Sequence, residues 1–155
     1  MLIVAYCSNS FAQQTKPIDE NNLYYKALIS YLEKRAEMYE SNEYLKTQEY
    51  LNVLIEENSE LTDGLPEKSG RFTMKYLDYT ERAKTFKTLG KEYRLVIVHP
   101  IQFKDGKLVI GFSEHMFSFK KKVSFYAVSD GCRVEFRYDC EKKVFVVDKV
   151  ELWGI

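Results

Sequence analysis

Apolar residues recur along this chain in two regimes. From Glu20 to about Ser41, Tyr25, Leu28, Ile29, Leu32, Ala36 and Tyr39 fall at helical spacing, with Lys26, Glu33, Lys34 and Glu37 on the opposite side. Such a stripe predicts an amphipathic helix packed on a core. Asp19, two residues after Pro17, is the expected N-cap. From Tyr93 onward the period shortens to two, and strand follows strand.

The stretch between these regimes is mixed. In Glu49 to Glu57, Leu51, Val53 and Ile55 alternate with Asn52, Leu54 and Glu56. That favours a strand, although the charged flanks also suit a helix. Ser59 to Gly70 carries turn residues throughout and reads as the longest loop. Arg71 to Tyr79 alternates around Phe72, Met74 and Tyr76. Thr80 to Leu89 has a short helical pattern, with Thr80 as expected N-cap and Gly90 as stop.

Tyr93 to Val98 is apolar enough to be central in a sheet. Residues 101–104 and 107–112 flank Asp105-Gly106, which predicts a tight hairpin. Val123 to Ser129 and Cys132 to Asp139 flank Asp130-Gly131, which predicts a second one. Val144 to Trp153 is the last strand, after a turn at Glu141-Lys142-Lys143. A helix followed by a run of strands predicts an α+β domain, with an N-terminal helix packed on a mainly antiparallel sheet over residues 19–155.

The alternation also decides how Cys132 and Cys140 are read. Cys132, Val134, Phe136, Tyr138 and Cys140 share one face, and Arg133, Glu135, Arg137 and Asp139 the other. Extended over eight residues, the chain spans roughly 26 Å, whereas a disulfide needs Cα atoms about 4.4–6.8 Å apart. The strand and the bridge exclude each other, so two unpaired and largely buried thiols are expected.

Residues 1–12 read differently. Leu2 to Tyr6 is a short apolar run, and Ser10-Phe11-Ala12 has the small-x-small form of a signal-peptidase site before Gln13. The expectation is a signal-peptide remnant over 1–12 and a linker over 13–18, hence a periplasmic or secreted protein. A disordered tail is the plainer alternative. Acylation at Cys7 is disfavoured by the bulky Tyr6 before it. No segment is apolar enough to span a bilayer.

Composition narrows the function. The 155 residues carry 23 basic and 23 acidic side chains, for zero net charge, so nothing draws the chain to nucleic acid. Twelve tyrosines and ten phenylalanines suit a half-buried pleated surface. His99 and His115 are the two histidines, and neither has the spacing of a zinc site. Ser113-Glu114-His115 is not a catalytic triad, because neighbouring strand residues face opposite ways. Glu56-Glu57 reads as a solvated pair. Phe117 to Phe125 places three lysines among aromatics, which suits a lysine-rich hairpin turn or guarded edge better than a strand-binding surface. No catalytic, cofactor-binding or metal-binding residue is assigned.

Arg137-Tyr138-Asp139-Cys140, with the closing Trp153-Gly154-Ile155, resembles the end of small exported bacterial proteins of unknown function. That resemblance implies no activity and no site residues. The helix-then-sheet order is also similar to cystatin-like or NTF2-like folds, which host both binders and enzymes. The leading expectation is an exported, non-catalytic binding domain using the concave side of its sheet. Its ligand would be a protein or a small molecule, and an immunity or inhibitor role is one version. The alternative is a small NTF2-like enzyme using His99 or His115 with a nearby carboxylate.

Overall fold

The computed structural model describes residue 19 and residues 21–41, 48–120 and 123–154. The expected signal remnant and linker lie outside these residues. The first helix, α1, spans Leu23–Ser41. Its cap is Asn22, whose Oδ1 accepts the amides of Tyr24 at 2.9 Å and Tyr25 at 3.3 Å. Asp19 instead accepts the Asn21 amide in the turn before. Both residues are good N-caps, so sequence alone did not separate them.

The buried side of α1 is Ala27, Leu28, Tyr31, Leu32, Arg35, Ala36 and Tyr39. Tyr25 and Ile29, expected in the stripe, are only half-buried. The helix is turned so that Tyr31 and Arg35 point inward, because both bond a buried glutamate on the sheet. A hydropathy pattern counts arginine as outward-facing and misses this.

A short 3₁₀ turn at Gln48–Leu51 leads into β1, Asn52–Glu56, a shorter strand than the alternation over Glu49–Glu57 predicts. The loop that follows ends in a two-residue strand β2, Lys68–Ser69. Then come β3, Phe72–Leu77, and helix α2, Tyr79–Leu89. The cap of α2 is Asp78, not Thr80: its carboxylate accepts the Glu81 amide. Gly90 ends the helix at φ 65°, the left-handed conformation that glycine adopts without steric cost.

The remaining strands are β4 (Tyr93–Val98), β5 (Gln102–Lys104), β6 (Lys107–Lys120), β7 (Val123–Asp139) and β8 (Val144–Trp153). All eight form one sheet in the order β2-β3-β1-β4-β6-β7-β8, with β5 paired to β6. The α+β architecture is as expected, and most pairs are antiparallel. The exception is β1, which runs parallel to both β3 and β4. A parallel neighbour requires a crossover, and the chain makes one through α2 between β3 and β4.

The two faces are covered unequally. Beneath α1 lies the main core, with Val53, Ile55, Met74, Val96, Ile110, Phe112, Cys132, Val134 and Phe136. Phe86 of α2 packs on the opposite face against a smaller cluster of Leu77, Tyr93, Leu95 and Phe117. Each large apolar side chain buried here contributes about 1.5–3 kcal/mol.

One expected turn is absent. The Asp105-Gly106 hairpin forms, with φ of 52° and 79° at its two residues, as the favoured two-residue turn requires. Asp130-Gly131, by contrast, sits inside the continuous strand β7. The register shifts beside it: Glu114 faces Asp130, but His115 faces Val128. The Asp130 carboxylate is held by Arg94 at 2.8 Å, and Gly131 makes room for an aromatic ring. The pairing of β6 with β7 instead continues as far as Lys120 opposite Val123.

Neither Cys132 nor Cys140 is bridged, as the alternation required. Cys132 is buried, and burial pushes its thiol up to about 12. Cys140, expected to be largely buried too, is exposed where β7 leaves the sheet.

Candidate functional site on the open half of the sheet

Outside the footprint of α2, the face away from α1 stays open over β6, β7 and β8. Two rows of residues cross it. The amide of His99 bonds the Gly111 carbonyl, Gly111 faces Arg133, and Arg133 faces Glu151. In the next row Ile97 faces Ser113, Ser113 faces Gly131, and Gly131 faces Trp153.

The glycines shape this surface. A Cβ on Gly131 would lie 2.3 Å from the Trp153 indole, so the ring lies directly over the glycine. A Cβ on Gly111 would meet the His99 ring at 3.4 Å, an ordinary contact. Trp153 is thereby laid against the sheet while remaining 48% exposed. A hollow of about 270 Å³ lies on one side of it, lined by His99, Pro100, Gln102, Val109, Gly111 and Arg133. A second hollow, about 490 Å³, is lined by Trp153 with Arg133, Glu151 and Leu152.

Both histidines converge here. The Nε2 atoms of His99 and His115 each lie 2.9 Å from the Ser113 hydroxyl oxygen. A hydroxyl has one proton to donate. When both imidazoles are neutral it donates to one Nε2 and accepts from the other, which requires opposite tautomers. His115 Nδ1 is buried without a hydrogen-bond partner among the described residues. Burial, with His99 close by, holds the His115 pKa below its ordinary value.

The α2 side of the strip is closed by Arg82. Its guanidinium pairs with Glu56 at 2.6 Å and donates to the Tyr126 hydroxyl at 2.8 Å. Tyr126 in turn meets the His115 ring edge-on at 5.9 Å. On the β8 side a cross-strand charge lattice begins. Arg133 pairs with Glu151 at 2.8 Å and Glu135 at 2.9 Å, and Lys107 joins Glu135 and Asp148 at 2.8 Å each. The Lys107 hydrogen bond holds the Glu135 carboxyl below its usual range, and one from Lys149 does the same for Glu151. These pairs contribute little stability in water, but they fix an alternating charge pattern beside Trp153.

Glu114 belongs to the other face. It is buried under α1, where its Oε1 accepts from the Tyr31 hydroxyl at 2.5 Å and from Arg35 Nε at 2.6 Å. Its Oε2 takes Arg35 Nη2 at 3.3 Å and Arg94 at 3.2 Å. Burial alone would raise its pKa. The Arg35 charge and the bonds from Tyr31 and Arg35 outweigh that and lower it. Glu114 therefore anchors α1 and is not part of the open site.

The strand alternation thus sorted Ser113 and His115 from Glu114 correctly. It gave no sign that His99 would reach the same hydroxyl, because that contact depends on the pairing of β4 with β6. Glu56 is not a solvated partner of Glu57 but the counter-ion of Arg82. Trp153 and Arg133 carried no local sign of a site either, and Gly131 carried only the misleading sign of a turn. Of the aromatics around the three lysines, Phe117 is buried and Phe125 exposed. Among the described residues no cluster of three or more metal-ligating side chains occurs, and no helix is long and apolar enough to cross a membrane. Comparison with known proteins gives no significant match to a family model, a curated protein or a solved structure.

Proposed function

We propose that this protein is an exported, non-catalytic binding domain that docks a protein partner on the open half of its sheet. The observation that carries the reading is Trp153, held over Gly131, half-exposed and lining two hollows, with Arg133 and His99 nearby. Exposed tryptophan and arginine are the residues that most often anchor protein interfaces. The hollow beside His99, about 270 Å³, falls just under the roughly 300–1,000 Å³ usual for small-ligand pockets. It suits one side chain of a partner; the second hollow, about 490 Å³, is of ligand size but is bordered by Arg133 and Glu151, which are already paired with each other. The surrounding charge lattice supplies the polar rim that sets specificity and register, as an immunity or inhibitor protein needs. Export rests on the Ser10-Phe11-Ala12 pattern.

Trp153 is the single tryptophan, so its emission reports on this surface directly. Affinity capture from the native extracellular or periplasmic fraction should recover a partner with the wild type and with Lys34→Ala, which lies on the exposed side of α1. It should fail with Trp153→Ala, and the recovered partner should shift the Trp153 emission on titration. Equal recovery by Trp153→Ala would reject the reading. Sequencing of the exported protein should give a terminus near Gln13, and one at Met1 would reject export.

The convergence of His99 and His115 on Ser113 favours a second reading, an enzyme with an activated serine. A fluorophosphonate probe decides it. Labelling of Ser113 that disappears in His99→Ala would establish the enzyme, and an unlabelled Ser113 would remove it. Neither Nε2 is bonded to a carboxylate in the expected histidine-carboxylate manner; both bond Ser113.

A further inference from the structure

Strand β7 is only partly enclosed. Strand β6 pairs with it from Val123 to Phe136, but β8 pairs only from Gly131 to Asp139. The segment Val123–Ser129, VSFYAVS, therefore has an unpaired outer edge among the described residues. It contains no charged residue and no proline. Val123, Phe125, Tyr126 and Val128 are 53%, 50%, 40% and 68% exposed.

The two terminal strands of the sheet are guarded. At one end, β2 is two residues long and begins with a lysine. At the other, β8 carries Asp148, Lys149 and Glu151, with a register shift opposite its middle. Short edges, charges and bulges are the usual defences against strand addition. Val123–Val128 is neither short nor charged, and its one irregularity is the register shift at its end, where Glu114 faces Asp130 but His115 faces Val128; a neutral run of β-branched and aromatic residues is the pattern that most readily adds a strand.

We infer that this edge is the interface of a homodimer, in which the Val123–Ser129 segments of two copies pair antiparallel about a two-fold axis. A second copy fits for three reasons. An uncharged apolar edge offers nothing to select a charged partner, and it is complementary to itself. With 23 basic and 23 acidic residues, two copies have no net repulsion. Antiparallel pairing also places the exposed Lys120 ends of the two hairpins at opposite ends of the seam. A closed two-fold pairing uses the edge up, so assembly stops at two. The added strand runs in line with β8, past Trp153, and so borders the docking surface without covering the charge lattice.

Sedimentation velocity on the full chain, from micromolar to sub-millimolar concentration, tests this. The wild type should show a concentration-dependent dimer, with slowed amide hydrogen exchange across residues 123–129 in the dimer. Val128→Lys and Phe125→Lys alter exposed side chains and should leave the far-UV spectrum and thermal midpoint intact. Each should raise the dimer dissociation constant about ten-fold or more, the effect of roughly 1.4 kcal/mol. A wild type that stays monomeric throughout overturns the inference, as does a dimer indifferent to both lysines. A monomer whose edge is filled by an extended strand of some other protein overturns it equally.

Discussion

Arg35→Met tests how α1 is held on the sheet. The substitution keeps a long, flexible apolar side chain and removes the guanidinium, leaving Glu114 only 3% exposed. Breaking a buried ion pair from one side typically costs 3–5 kcal/mol, because the surviving charge stays desolvated. Here Tyr31 at 2.5 Å and Arg94 at 3.2 Å still bond the carboxylate, which places the expected loss at the lower end, about 3 kcal/mol. Loss of the Arg35 bond to the Tyr50 carbonyl, at 3.1 Å, acts in the same direction. A domain of this size has roughly 5–15 kcal/mol to lose. Urea unfolding followed by far-UV circular dichroism should show the midpoint fall by about 1–3 M.

The pH dependence is the sharper check. In the wild type the folded-state pKa of Glu114 is lowered. Its contribution is therefore complete above the unfolded carboxyl value, about 4.3, and is lost as pH falls through the folded value. In Arg35→Met, burial is opposed by the Tyr31 hydrogen bond and the Arg94 charge without the Arg35 charge, so the folded-state value moves upward. Acid then neutralises the stranded carboxylate and relieves the variant, so the gap between the proteins narrows as pH falls below neutrality. The double variant Arg35→Met/Glu114→Gln should recover much of the loss at pH 7. A cost under about 1 kcal/mol for Arg35→Met, well below the usual range for a broken buried pair, would refute the idea of a charge lock. So would a cost independent of pH.

Three further outcomes are expected. Gly131→Ala should cost about 1–3 kcal/mol by overpacking and move the tryptophan emission, and removing the ring in Gly131→Ala/Trp153→Ala should return most of that stability; additive losses would mean that the ring does not rest on the glycine. Alkylation at neutral pH, read by peptide mass mapping, should modify Cys140 and spare Cys132 until the protein is unfolded, since the Cys132 thiol is buried and raised to about 12. Asp78→Ala should lower stability by about 1 kcal/mol through loss of the α2 cap, while Thr80→Ala stays near neutral; the reverse order in thermal melts would restore Thr80 as the cap.

Local chemistry by itself determined most of the elements. The stripe of α1, the apolar run of β4, the Asp105-Gly106 hairpin and the incompatibility of a Cys132–Cys140 bridge with a strand all follow from spacing within a few residues. The same reasoning failed at Asp130-Gly131, because an Asp-Gly pair marks a turn only when nothing across the sheet needs that glycine. Trp153, more than twenty residues downstream, needs it. Likewise Arg35 looks solvent-facing until Glu114 is brought beneath it, and His99 looks solitary until β4 pairs with β6 and sets its ring against Ser113. The parallel placement of β1 between β3 and β4 is another decision of the tertiary structure, since it depends on where α2 carries the chain. Sequence by itself determined which segments are helix and strand and which side chains share a face, since backbone geometry repeats over two to four residues. Only the assembled sheet decided which faces meet, and with that the Trp153 surface, the shared serine and the stretch of β7 that β8 leaves unpaired.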